Sequence, residues 1–414
     1  MHRPHRWSGD GGTAPTRTDL PFELYAEGVL LYPQRLSVYG CKNGYNCHKA
    51  LVYHPLESSP RGEPDRRPSM PKPFLGLFAP NMQRRARAGA LAGLFTAVLL
   101  AATSQHPAAA SDTLLRIGSG GVGGTYHPIA VLLARGLSGV DCPTPVDCGI
   151  PNVLAVAQAS NGSVANVDAL AGKRIELGIA QGNVAHHAFN GTGPFAGRPA
   201  NDLRAIGALY IEALHIVARR DNGISRFEDL RGRRVSLDEP GSGTLDDARL
   251  ALNVHGMGEG DVSPEYMKPD LALVRMRESR LDAFFIMAGA PVPAIVSAAA
   301  ELPLTLVPIT GQAADALVAH SSYYAKTTIP ASAYRLDADA PTVGTGALLL
   351  ARADLPDALV EAVTRMLWSE RMLARLADGH PKGREVRPER ALDGVSIPLH
   401  AGAERYYREI GRRR

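Results

Sequence analysis

The feature that most restricts this chain is a glycine-rich turn, Gly118-Ser119-Gly120-Gly121-Val122-Gly123-Gly124-Thr125-Tyr126-His127-Pro128. It separates a short apolar run, Leu114 to Ile117, from a helix-like stretch, Ile129 to Leu137. A strand that ends in glycines and passes directly into a helix is the repeating unit of α/β sheets. It also leaves the first N–H groups of the helix unpartnered and facing open space, which makes an anion site before any side chain is considered.

From Thr113 onward, short apolar strands alternate with helical stretches, and three further junctions repeat this chemistry. Val153–Ala159 leads into Asn161-Gly162-Ser163, where Ser163 is placed to cap a helix over Val164–Leu170 that Gly172 ends. Arg234–Asp238 leads into Glu239-Pro240-Gly241-Ser242-Gly243-Thr244, with Thr244 the expected cap of a helix reaching Val254. Ala283–Met287 leads into Gly289-Ala290-Pro291. One such turn is an ordinary connection. Four small, polar ones point to a cleft, because ligands of open α/β sheets settle beyond the carboxyl ends of the strands. Each helix end contributes about 0.3–1 kcal/mol toward an anion, and each charge-assisted hydrogen bond about 1.5–3. A handful reaches the roughly 8 kcal/mol of a micromolar complex. Gly178-Ile179-Ala180-Gln181-Gly182-Asn183 adds a strand end with two amides. Gln181 is placed to donate to a carboxylate or accept from an ammonium, with an ordinary surface amide as the alternative.

Ahead of the first strand, Met82 opens what reads as an export signal. Arg84, Arg85 and Arg87 form a basic region, Ala88 to Ala102 is uncharged and mostly apolar, and Ala108-Ala109-Ala110 offers small residues for cleavage. Residues 82–110 are therefore expected to be a signal peptide cleaved near Ala110, giving a periplasmic product that begins at Ser111. Residues 1–81, rich in Arg, Pro, His and Gly, read as a start assigned too far upstream or a disordered extension. The uncharged run Ala283–Ala300 is interrupted by Gly289, Pro291 and Pro293, so a buried strand, a turn and a helix from about Pro293 fit better than a membrane span.

The stretch after the signal is long enough for two α/β lobes with their own cores. Over the whole chain 45 basic residues face 41 acidic ones, which gives no field suited to nucleic acid. Of the four cysteines, Cys142 and Cys148 flank a Pro-rich loop and are expected to form a small disulfide in an oxidising compartment. A metal pair is the weaker reading, since no further Cys or nearby His completes a ligand set.

Two enzyme readings compete. Gly118-Ser119-Gly120-Gly121-Val122-Gly123 matches G-x-G-x-x-G, and Asp141 lies near the spacing of a ribose-binding acid, so a dinucleotide-dependent enzyme is the remote alternative. Asp141, however, sits inside the Cys–Pro loop rather than at a strand end, and export works against a dissociating cofactor. Ser242 lies in Pro-Gly-Ser-Gly-Thr, not in a nucleophile elbow. His186-His187 are adjacent and point apart on a helix, which disfavours a shared metal. Neither an enzyme nor a cofactor nor a metal is expected.

Several blocks in order resemble the TAXI family of solute-binding subunits from tripartite ATP-independent periplasmic (TRAP) transporters. They are Ile117–Pro128, Asn161–Val164, Glu176–Val184, Asn190–Gly197, Leu209–Arg219, Leu230–Thr244, Asp282–Gly289 and Pro341–Asp354. The resemblance implies a type II periplasmic-binding-protein fold, two α/β lobes joined by a hinge. Lobe 1 is expected over 111–216 with 345–414 and lobe 2 over 217–344, with crossings near His215–Arg219 (His215 and Val217 as hinge residues) and near Val343–Leu350. It implies capture of a small anionic solute, glutamate, glutamine or a dicarboxylate, for delivery to TRAP membrane permease subunits. A receptor serving a sensor or partner protein is the alternative. Carried over by position, the ligand contacts are Gly124, Thr125, Tyr126, Asn161, Ser163, Gln181, Ser242, Gly243 and Thr244. Phe284 and Phe285 alternate across a strand, so one is expected to face the cleft, and Phe285 is assigned there. Asp238, Glu239 and Glu212 are candidates to answer an ammonium, with surface ion pairing as the alternative.

Overall fold

The computed structural model describes residues 113–140, 149–321 and 323–412. The expected signal peptide, residues 1–81 and the Cys142–Cys148 pair lie outside the described residues. The first β-α units are β1 (Thr113–Gly118), α1 (Tyr126–Leu137), β2 (Val153–Gln158), α2 (Ser163–Ala171), β3 (Leu177–Gln181) and α3 (Gly182–Asn190). A 17-residue strand, β4 (Leu203–Arg219), follows. Next come β5 (Arg234–Ser236), α4 (Thr244–Val254), β6 (Ser263–Glu265), α5 (Pro269–Arg277), β7 (Ala283–Ala288) and α6 (Pro293–Ala299). After β8 (Leu304–Leu306), α7 (Gly311–His320) and β9 (Ala325–Ile329), the chain returns along β10 (Ala340–Arg352). It closes with α8 (Asp357–Leu367), α9 (Glu370–Gly379) and α10 (Ala401–Glu409).

The strands form one sheet in the order β2-β1-β3-β10-β4-β7-β5-β6, with β8 on β4 and β9 on β10. At one end β1, β2 and β3 are parallel and β10 returns antiparallel beside β3. At the other, β5, β6 and β7 are parallel and β4 runs antiparallel to β7. Both ends are covered by helices on two faces, as parallel strands require. In α1 the buried residues Ile129, Ala130, Leu133, Ala134 and Leu137 recur along one stripe, which packs on β1 and β2. Separate apolar clusters fill the two ends. Leu115, Ile117 and Leu349 belong to one lobe, and Val235, Phe285 and Met287 to the other. This is the expected two-lobed α/β fold. The run Ala283–Ala300 forms β7 and α6, and among the described residues no helix is long and apolar enough to cross a membrane.

Two long strands pass from lobe to lobe. β4 pairs with β10 up to Ala213 and with β7 from Ala213 onward, while β10 pairs with β9 up to Gly344 and with β3 from Ala347. The crossing on β4 therefore lies at Glu212–Ala213, earlier than the stretch expected to hold it. His215 and Val217 already pair with Ile286 and Phe284 inside the second lobe. The hydrophobic pattern could not mark the switch, because β4 is buried on both faces before and after it. The backbones meet closely here: a Cβ on Gly344 would stand 2.1 Å from the Glu212 carbonyl oxygen. The obstacle is backbone on a paired strand and cannot swing aside. Gly344→Ala is thus expected to cost about 1–3 kcal/mol, the range for overpacking. A lowered calorimetric melting temperature checks this, and an unchanged one would contradict the close approach.

Candidate functional site

The carboxyl ends of the parallel strands from both lobes face each other across the seam. They enclose a cavity of about 590 Å³, open solvent at its mouth included. Gly124, Thr125 and Tyr126 line it from the first turn, Asn161 and Ser163 from the second, Gln181 from the end of β3, and Ser242, Gly243 and Thr244 from the start of α4. These nine positions, scattered over the sequence, come together around one space. Glu212, Asp238, Glu239, Lys268, Asp270 and the Ile286–Ala288 end of β7 complete the wall.

Phe285 does not join them. It is 1 % exposed and packs inside the second lobe, its ring 6.1 Å from that of Phe227. Phe284 is equally buried on the other face. A central strand covered on both sides has no face to offer a cleft, and only its carboxyl end reaches the cavity.

The hydroxyls are committed in ways the capping pattern did not indicate. Ser163 is the first residue of α2 rather than its cap, and its Oγ accepts the Gln181 N–H at 3.1 Å. Ser242 Oγ, not Thr244, accepts the Leu245 N–H at the start of α4, at 3.1 Å. Thr244 Oγ1 accepts from Met287 N–H at 3.0 Å, which ties α4 to β7. Thr125 Oγ1 donates to the Gly289 carbonyl at 2.6 Å, from one lobe to the other. Further bonds cross the seam beside it: Ala294 N–H to the Gly123 carbonyl at 3.1 Å, Ala165 N–H to that of Gly241 at 2.9 Å, and Asn161 Nδ2 to that of Pro240 at 3.2 Å. The lobes are closed on one another.

Backbone donors remain free. The N–H groups of Thr125, Tyr126, Ser163, Gly243 and Thr244 have no partner among the described residues. They belong to the first turns of α1, α2 and α4, where intrahelical acceptors do not exist. At Gly162 a φ of 115° turns the chain into α2 in a conformation that side chains resist.

Beside these donors lie acids. Glu212 is 1 % exposed on β4, and its Oε2 accepts the Tyr126 hydroxyl at 2.6 Å. Burial pushes its carboxyl up to about 8, against the lowering effect of the Tyr126 bond. Asp238, also buried, is pushed up to about 7 by desolvation, while the Ser242 and Thr244 hydroxyls oppose the shift. Neither is the surface ion pair considered from sequence. Glu239 is ion-paired, its Oε1 3.2 Å from Lys268 Nζ, but its side chain is only 19 % exposed and that oxygen is buried. Glu212 did leave a trace in the sequence, as the one acid within the mostly apolar Leu209–Val217. His215 is fully buried, lines no part of the cavity, and bonds Ala213 and Tyr334 at 2.8 Å each. Desolvation lowers its imidazole to about 4, so it stays neutral.

The chain belongs to the NMT1-like family, whose model matches residues 117–411. Among similar solved structures is the periplasmic aliphatic sulphonate binding protein SsuA of Escherichia coli, at 17 % identity and TM-score 0.37, covering 72 % of this chain and 84 % of that one. SsuA of Xanthomonas axonopodis pv. citri, bound to MOPS, is 16 % identical with a TM-score of 0.39, covering 72 % and 83 %. The substrate binding protein of an amino acid ABC transporter is 12 % identical with a TM-score of 0.39, covering 65 % and 97 %.

A carboxyl whose folded value stands above its unfolded one binds more protons when folded. Its contribution is therefore full below the unfolded value and lost as pH rises through the folded one. For Glu212 that window runs from the ordinary glutamate range to about 8. Glu212→Gln removes this penalty, so the melting temperature of the variant minus that of the parent should increase from pH 5 to pH 8. A difference that stays flat across that window would show that Glu212 is not strained by burial.

Proposed function

We propose that this protein is the solute-binding receptor of a TRAP transporter, capturing a small carboxylate such as glutamate, glutamine or a dicarboxylate for membrane permease subunits. The observation that carries the reading is the set of unpartnered N–H groups from the first turns of three helices, gathered around one cavity. Helix N-termini of this kind favour anions, and in a partly buried cleft each is worth up to about 2 kcal/mol. The TRAP assignment rests on the ordered blocks that resemble TAXI receptors, and an export signal at residues 82–110 would place the product in the periplasm.

Ligand entry requires the lobes to part, which breaks the Thr125–Gly289, Ala294–Gly123 and Ala165–Gly241 bonds. The bend would fall at Glu212–Ala213 and Gly344–Thr345, where the crossing strands exchange partners.

Titration calorimetry of residues 111–414 against glutamate, glutamine, 2-oxoglutarate and C4 dicarboxylates tests the proposal. At least one should bind at micromolar or tighter affinity, and Ser242→Leu, which fills the cavity wall at the start of α4, should abolish the heat while the fold is kept. No heat and no thermal shift with any carboxylate would refute the ligand class. A gene for a large permease beside this one would support the TRAP assignment, and a sensor kinase gene there instead would overturn it.

A further inference from the structure

The cavity that gathers first-turn N–H groups also holds a buried carboxyl in their midst. Glu212 is 1 % exposed and lines the cavity, and its Oε2 accepts the Tyr126 hydroxyl at 2.6 Å. That hydroxyl also lies 3.4 Å from Ser163 Oγ. Tyr126 and Ser163 are the first residues of α1 and α2, and both carry unpartnered N–H groups. The acid is thus one side chain away from two of the three helix starts.

Little around Glu212 favours its charge. The cation that acts on it, Lys382 in the turn Pro381–Glu385, has its Nζ 2.7 Å from Glu385. The other titratable groups near it are Tyr126 on α1, Tyr210 on its own strand and Asp247 on α4. Along the cavity stand Asp238, Glu239, Lys268 and Asp270, with Lys268 paired to Glu239. Asp238 is better served than Glu212. The Glu239 N–H donates to it at 2.8 Å, and the Ser242 and Thr244 hydroxyls also favour its charged form.

An anion seated on the helix starts would bring a like charge into the same cavity. Two carboxylates sharing one site do not both stay ionised, and the less supported one takes a proton. Here that is Glu212, whose carboxyl burial already pushes up to about 8. A proton between the two acids replaces repulsion by a charge-assisted O–H···O⁻ bond. Because Oε2 accepts from Tyr126, Oε1 is the oxygen to carry it.

We propose that Glu212 is a specificity-determining residue of this cavity: it meets the bound carboxylate as a carboxylic acid, Oε1–H donating to the anion, so that capture takes up a proton from solvent. The inference rests on the anion reading given above and adds to it the protonation state in which the site works.

Calorimetry of residues 111–414 with 2-oxoglutarate, succinate and glutamate tests it. At pH 8, the difference in heat between phosphate and Tris buffers should report an uptake of about half a proton per site, because Glu212 alone is then half charged. For 2-oxoglutarate and succinate, which do not titrate in this range, affinity should be about tenfold weaker at pH 9 than at pH 7. Glu212→Gln should lose the uptake, and its ratio of affinities at the two pH values should fall to near one. Tyr126→Phe removes the hydroxyl that favours the charged form, so the fall in affinity should move to higher pH. That variant decides the matter should Glu212→Gln not fold, and an unmoved profile would overturn the inference. Binding without proton uptake overturns it and leaves the anion reading standing, and so does an uptake that Glu212→Gln retains. If none of the three solutes binds, both fail together.

Discussion

The molecule depends on the place where β4 and β10 cross. Both strands pair in each lobe of the one sheet, so one pair of backbones carries the connection between the lobes and fixes where their facing ends meet. That pair comes so close that only glycine fits at position 344, against the Glu212 carbonyl. The crossing is central to the sheet, and Glu212 and Ala213 on it are removed from water. Glu212 therefore becomes a buried acid at the deepest point of the seam, and the Tyr126 hydroxyl is drawn across to it.

From this constraint follows the polarity of the cavity. One wall is backbone: first-turn N–H groups of three helices whose geometry denies them partners. Among these donors stand Glu212 and Asp238, whose raised values record the cost of burying a carboxyl. The small hydroxyl residues tune the frame around it. Thr125 fastens one lobe to the other, Thr244 fixes the start of α4 to β7, and Ser163 sets the end of β3.

The sequence by itself determined the units and their ends. Strand, glycine turn and helix are local matters, set by hydrophobic period and by the few residues that tolerate each turn, and so Gly118–Pro128 and Asn161–Ser163 could be placed at a cleft. Those junctions fall on one cavity because every parallel strand in such a sheet ends on the same side. What each polar atom does there was a tertiary decision. Whether Ser163 caps its helix or receives the Gln181 N–H depends on a strand arriving beside it, and whether Phe285 meets the cleft depends on helices covering both faces of β7. Glu212 was visible as a lone acid in an apolar run, but its burial needed β10 and the second lobe to close over it. Burial and charge compensation are sums over neighbours distant in the chain, and no local pattern encodes them.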